Sequence, residues 1–230
     1  KNKIFEMTGR SEDYLIHMYP DNYFDFYIDI GSRGIVHPWH LNFLAKKNTN
    51  TSYYGFEPDL PYYEELIECK KEWQLRNLDV SKLGFGTGEK INTPYGEQDS
   101  ITVDGIFKKH GLSPQSKWAI KLDCEGAEYA LMKSECDNCV ELLKQASHIA
   151  IEFHLESCRT PNNFWTRTAN TMPTEILPTE EWLQENFNNS HDIFLTEYST
   201  TGTQGLYTYV LAKKRVLEDK NVAFWEEILL

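Results

Sequence analysis

The sequence predicts an α/β fold, a doubly wound and mostly parallel sheet with a C-terminal antiparallel hairpin. Three observations carry this. Apolar, aromatic and β-branched runs (YFDFYIDI, WAIKLD, HIAIEFH) alternate with segments whose apolar residues recur at helical spacing. Strands alternating with helices imply parallel strands covered by helices on both faces. Toward the C-terminus the pattern changes to two alternating strands around TTGTQG, as an antiparallel pair requires.

The 230 residues, 40% of them hydrophobic, suffice for one well-buried core and at most a small appendage. A net charge of −12 argues against a nucleic-acid partner, because a phosphate backbone would be repelled. No apolar run approaches the ~20 residues of a membrane span, and no secretory signal opens the chain. The five cysteines are odd in number and scattered, which points to a cytoplasmic or other reducing intracellular compartment. Cys136 and Cys139 form a lone CxxC without a second ligand pair, so two reduced thiols are expected rather than zinc. Because the chain opens on Lys1 rather than methionine, a fragment or processed form is expected, with other domains in a longer chain.

In order, residues 1–22 are a lead-in with a short amphipathic segment, Ser11 to Tyr19. A strand from Tyr23 to Ile30 ends in IDIGSRG, and Pro38 to Lys46 reads as a helix. A second strand, Tyr53 to Phe56, ends at Glu57 in GFEPD. Asp59 can cap the following helix, whose Tyr62, Leu66, Cys69 and Trp73 share one face. A weaker third strand covers Leu78 to Phe85, followed by a polar loop and a helix near Ile101 to His110. The fourth strand, Trp118 to Leu122, runs into helical segments from Gly126 to Gln145, and His148 to His154 is the fifth. Residues 155–177 are irregular and carry Arg159, Phe164, Trp165 and Arg167. A helix near Glu180 to Asn186, strands Asp192 to Glu197 and Leu206 to Ala212, and a helix from Val216 to Leu230 complete the chain.

The organising stretch is WAIKLDCEGAEYALM, residues 118–132. Its strand ends at Asp123, with Glu125 and Glu128 close behind. Three acids so near together repel one another unless a cation sits among them. Lys121 and Asp123 share a strand face, since side chains alternate. Part of the acidity suits a helix N-terminus, but a lysine and an aspartate in one buried strand suggest a site. Ligands of open α/β sheets bind beyond the carboxyl ends of the strands. There IDIGSRG places Asp29, Gly31 and Gly34, and Glu57 can accept hydrogen bonds from both hydroxyls of a ribose. The sequence lacks GxGxxG after the first strand, which counts against a dinucleotide.

IDIGSRG, GFEPD, DSITVDGIF, IKLDCEGAE and IAIEFH, in this order, resemble the FkbM-type family of class I S-adenosylmethionine-dependent methyltransferases, over roughly Tyr23 to His154. The resemblance implies a Rossmann-like, seven-stranded sheet within one domain, residues 23–230. Residues 23–154 would bind the cofactor, 155–177 would form an acceptor loop, and 178–230 would complete the sheet and end in a helix. It implies that Asp29, Gly31, Ser32, Arg33 and Gly34 hold the methionine end of S-adenosylmethionine, and that Glu57 and Pro58 hold the ribose. Phe85 and Gly86 would lie near the adenine, and Asp123 would border the cofactor. The chain departs from the family's DxGANxG form with Ser32, Arg33 and Ile35, so Arg33 is also a candidate for the acceptor.

A hydroxyl acceptor must lose a proton to a base or to a metal. The candidate catalytic residues are His154, Glu152, Asp123 and Lys121, with His154 the leading base and His37 and His40 behind it. Asp123, Glu152 and His154 could together hold a divalent ion, magnesium or manganese; the competing account has Lys121 neutralise Asp123 and no metal. The family points to a hydroxyl of a sugar in a glycan or glycoconjugate, or of another small molecule. The alternative is a methyltransferase-like module that binds without catalysing.

Overall fold

The computed structural model describes residues 4–6, 14–32, 39–93, 95–132, 137–154, 179–199 and 206–219. In chain order the strands are β1 (Ile4–Glu6), β2 (Phe26–Ile30), β3 (Ser52–Phe56), β4 (Leu78–Ser81), β5 (Gly84–Phe85), β6 (Ile91–Thr93), β7 (Gly96–Gln98), β8 (Ser100–Ile101), β9 (Trp118–Leu122), β10 (His148–His154), β11 (His191–Ser199) and β12 (Leu206–Lys213). The helices are α1 (Trp39–Lys47), α2 (Leu60–Glu72), α3 (Val103–His110), α4 (Asp137–Leu143), α5 (Thr179–Phe187) and α6 (Lys214–Leu217).

The main sheet runs β1-β11-β12-β10-β9-β2-β3-β4. Pairing is parallel from β10 through β9, β2 and β3 to β4, whereas β12 is antiparallel to both β10 and β11. Seven of these strands are the expected ones. The eighth, β1, comes from the stretch read as a lead-in and adds a parallel edge beside β11. Three residues are too few to show a period, so no alternation marks this strand.

Both sheet faces are covered, which explains why the central strands are apolar throughout. Phe26, Ile28, Ile30, Trp118, Ile120, Leu122, Ile149, Ile151 and Phe153 build one core. Tyr27, Ala119, Ala150 and Ala212 face the other, where Leu15, Met18, Tyr19, Leu41 and Leu66 pack. The 3-10 turn Ile16–Met18 thus covers the sheet where an amphipathic segment was expected.

Several boundaries differ from expectation for physical reasons. The third strand divides, since β5 leaves the main sheet to pair with β8, and the polar loop folds into the β6–β7 hairpin. The helix after β9 is a 3-10 stretch, Ala127–Met132, before α4 begins. Asp59 stands at the N-cap of α2 but makes no side-chain cap bond, because its carboxylate accepts from the Thr93 hydroxyl instead. Thr102 does cap α3, accepting from the Gly105 N–H at 2.9 Å, and Gly111 ends that helix at φ +64°. Among the described residues, no helix is long and apolar enough to cross a membrane.

The strand order reverses between β9 and β2, where the chain goes out to β3 and β4 and then returns. Beyond the carboxyl ends of these strands such a switch opens a crevice. Asp29, Gly31 and Asp123 lie there.

Candidate active site

Three elements build the crevice floor. Leaving β2, the Gly31 and Ser32 N–H groups both donate to the Phe56 carbonyl, at 2.9 and 3.2 Å. The Ser32 hydroxyl donates to the Asp29 carbonyl (2.7 Å) and accepts from the Phe56 N–H (3.2 Å), so this loop is tied to the end of β3. Gly31 adopts φ +80°, and a Cβ there would stand 1.7 Å from the Asp123 carbonyl oxygen. Only glycine fits, because backbone meets backbone at this point.

Lys121 is central. Register places it opposite Asp29 on the neighbouring strand, so both side chains share one face. Its ammonium donates to Asp29 Oδ1 (3.1 Å) and to the Gly31 carbonyl (3.0 Å), and lies 3.6 Å from Asp123 Oδ2. Burial disfavours the lysine charge, but Asp29 and Asp123 outweigh that and raise its pKa. The expected Lys121–Asp123 pairing is therefore present, with Asp29 the nearer partner.

The side of the crevice toward β10 is acidic. Register sets Ala150 opposite Lys121, which brings Glu152 and His154 up beside Asp123. Glu128 is fully buried, and its Oε1 accepts from both the backbone N–H (2.8 Å) and Nδ1 (2.9 Å) of His154. Its Oε2 accepts from the Gly126 N–H at 2.9 Å and the Cys124 thiol at 3.4 Å. On the other ring nitrogen, His154 Nε2 lies 3.2 Å from Glu152, 3.4 Å from Glu125 and 3.9 Å from Asp123. Burial alone would lower the His154 pKa; Glu128, Glu152 and Glu125 override it and hold the ring as imidazolium.

The carboxylates diverge in the same field. Burial opposes ionisation of Asp123, but Lys121, His154 and the Tyr14 hydroxyl, which donates to Oδ2 at 2.9 Å, keep its pKa low. Burial and the Asp123 charge raise that of Glu152. Burial pushes Glu125 up to about 7, although His154 pulls the other way. Five carboxylates (Asp29, Asp123, Glu125, Glu128 and Glu152) thus face two cationic groups, Lys121 and His154. Such an excess of negative charge suits a further cation.

Ligand atoms of Asp123, Glu152 and His154 fall within 4.8 Å of one another, close enough to share one ion. An ion there would have to displace the proton on His154 Nε2, since an imidazolium offers no lone pair.

At the other end of the crevice, Glu57 follows β3, is 4% exposed, and accepts from the Asp59 N–H at 2.9 Å. Pro58 is half-buried beside Gly84, with 3.4 Å between its Cβ and the position a Gly84 Cβ would take. Gly86 packs against Ser100. Phe85 is 1% exposed and packs within the core. His40 bonds the Tyr27 hydroxyl at 3.1 Å. Arg33, Gly34 and His37 lie outside the described residues, as do Arg159, Phe164, Trp165 and Arg167.

Sequence reasoning did not assign Tyr14, Glu125 or Glu128 to the site. The two glutamates were visible as acids, but nothing in their spacing announced that Glu128 would pair with a histidine on the next strand. Tyr14 carried no signal.

No protein-family model matches this sequence, and neither does a curated protein sequence. Solved structures do resemble it. A protein from Clostridium thermocellum assigned as an rRNA methylase superposes with a TM-score of 0.52 at 12% identity, over 92% of this chain and 99% of that one. An rRNA methylase from Streptococcus thermophilus gives 0.49 at 10% identity, over 88% and 93%. The METTL16 methyltransferase domain gives 0.49 at 13% identity over 87% of this chain, which spans 64% of the length of that one. At 12% identity the Clostridium structure establishes likeness of fold: the chain has the Rossmann-like layout of class I methyltransferases, including the antiparallel C-terminal strand pair.

Proposed function

We propose that this chain is an S-adenosylmethionine-dependent O-methyltransferase of the FkbM type. The observation that carries the reading is the carboxylate-rich crevice at the topological switch point, floored by a glycine loop that closes on Asp123. A second carboxylate, Glu57, stands at the end of the adjacent strand. Bound there, S-adenosylmethionine supplies an electrophilic methyl group on a positively charged sulfur, which answers the excess of negative charge.

The chain's own residues then have distinct tasks. Glu57 accepts the ribose hydroxyls. Asp29, held by Lys121, fixes the loop that carries Gly31 and Ser32. Alignment of donor and acceptor supplies most of the rate in such a displacement. His154, charged and clamped by Glu128, does not take the acceptor's proton; it holds the facing carboxylates in place. That proton passes to a carboxylate of the Glu125–Glu152 pair, both of which hold protons more readily than ordinary side chains.

The acceptor we propose is a neutral hydroxyl, of a sugar in a glycan or glycoconjugate. The family resemblance supports it, and so does an acidic wall that would repel a phosphate backbone. A mass-spectrometric screen of glycans, glycosides, small phenols and RNA for gain of one methyl group tests this. Methylated sugar is the expected result, and methylated RNA with unmodified sugars would overturn the acceptor class. The reading is metal-free, so full turnover is expected after exhaustive chelation with EDTA; loss restored by magnesium or manganese would instead assign the trio Asp123, Glu152 and His154 to an ion.

A further inference from the structure

Between the lead-in and α1 lies a cavity with no part in the crevice chemistry. Its volume is about 170 Å³, and six aromatic rings line it: Tyr19, Tyr23, Phe24, Tyr27, Phe43 and Tyr53. Tyr23 and Phe24 precede β2, and Thr51, also in the wall, precedes β3. The cavity therefore sits toward the amino ends of these strands, whereas the crevice lies beyond their carboxyl ends. None of Asp29, Glu57, Lys121, Asp123 and His154 lines it.

Volume and chemistry limit what enters. An apolar cavity of roughly 150 Å³ takes up benzene, so one phenyl ring fits here. The phenol groups in the wall are already bonded. The Tyr19 hydroxyl meets His148 Nδ1 at 3.0 Å, and that of Tyr27 meets His40 Nε2 at 3.1 Å. The Tyr53 hydroxyl bonds the Asn48 and Thr51 side chains, and that of Tyr23 bonds Asp219. A polar group pushed among them would lose water without gaining a partner. An aromatic ring instead gains buried area and edge-to-face contacts.

The mouth is charged. Asp21, from the lead-in, and Lys47, which ends α1, both line the cavity and pair at 2.7 Å, each about half exposed. So exposed a pair contributes little to stability, and opening it costs little. A ligand carrying an ammonium and a carboxylate on one carbon gives both charges a new partner. A singly charged ligand leaves one of the two without.

We propose that this cavity is a binding site for a free α-amino acid of the phenylalanine type. The ring lies among the tyrosines, the ammonium on Asp21 and the carboxylate on Lys47. Tyrosine binds more weakly, because its hydroxyl is buried without a partner.

Titration of the full chain with phenylalanine, followed by amide NMR shifts, tests the proposal. Saturable shifts clustered at residues 19–24 and along α1 are expected, with a Kd of about 1 mM or below. Phenethylamine, 3-phenylpropanoate and benzyl alcohol lack the carboxylate, the ammonium or both, and each should bind about tenfold more weakly or worse. Asp21→Asn and Lys47→Met alter half-exposed side chains, so both variants should keep the wild-type Tm and lose about tenfold in affinity for phenylalanine. Leu44→Trp, which fills the cavity from α1, should abolish binding. No saturable shifts in folded wild type, benzyl alcohol binding as tightly as phenylalanine, or undiminished affinity in any of the folded variants overturns the proposal. Asp21→Asn and Lys47→Met leave the crevice intact, so S-adenosylmethionine titrations of the same proteins report separately on the reading above.

Discussion

Glu128 and His154 stand 26 residues apart in sequence and meet as a buried pair, with Oε1 of the glutamate 2.9 Å from Nδ1 of the histidine. The same oxygen accepts the His154 backbone N–H, and the other oxygen accepts the Gly126 N–H. One carboxylate thus joins the end of β10 to the turn after β9. Glu128→Ala leaves a buried imidazolium and two backbone donors without this acceptor. It is expected to cost about 3–5 kcal/mol in urea unfolding. Glu128→Gln can keep part of the hydrogen bonding and should cost less. Equal, small losses for both variants would contradict the pairing.

Lys121 holds the other half of the site. Lys121→Met keeps much of the volume of the stem but leaves Asp29, 1% exposed, without its ammonium partner. A loss of about 3–5 kcal/mol is expected by the same unfolding measurement, since an uncompensated buried charge is the dominant cost. Asp29→Asn in the Lys121→Met background should restore part of it, which a double-mutant cycle reads directly.

How much of this was legible in the sequence depends on distance along the chain. Lys121 and Asp123 are two residues apart on one strand, so alternation alone placed them together. The strands of the central sheet followed from apolar runs and their polar ends, and the convergence of Asp123 with Glu152 and His154 followed from the adjacency of the fourth and fifth strands. What escaped were contacts set by register between distant segments. Asp29 reaches Lys121 across a strand pair, Glu128 reaches back to His154, and the Tyr14 hydroxyl comes from a segment read as a lead-in. No local period encodes such meetings. Phe85, read beside glycines as a neighbour of the adenine, packs into the core cluster at 1% exposure.

Two histidines away from the crevice set a pH dependence. His148 donates through Nε2 to the Tyr14 carbonyl and accepts at Nδ1 from the Tyr19 hydroxyl, at 2.9 and 3.0 Å. Burial lowers its pKa to about 3, and that of His191 to about 4, from an ordinary 6.5. The unfolded chain therefore binds protons that the folded chain refuses. The stability contributed by these groups is present above pH 6.5 and lost as pH falls toward the folded values, at about 1.4 kcal/mol per pH unit for each histidine. Glu125 acts in the opposite sense. With its folded pKa raised to about 7, it binds a proton sooner when folded, and its contribution grows as pH falls below that value. Glu125→Gln should therefore lose stability more steeply than wild type between pH 7 and 5, measured by urea midpoints. Parallel slopes would contradict the raised value.

The central claim is that the crevice between β2, β3 and β9 binds S-adenosylmethionine through Glu57 and the Gly31 loop. Calorimetric titration of the folded protein with S-adenosylmethionine, repeated on Glu57→Ala, tests it most directly. The account predicts saturable binding at one site. Loss of the acceptor for the ribose hydroxyls should weaken that binding by about 1.5–3 kcal/mol, roughly tenfold to 150-fold in Kd. No heat of binding from well-folded wild-type protein, or equal affinity in a folded Glu57→Ala variant, would contradict it.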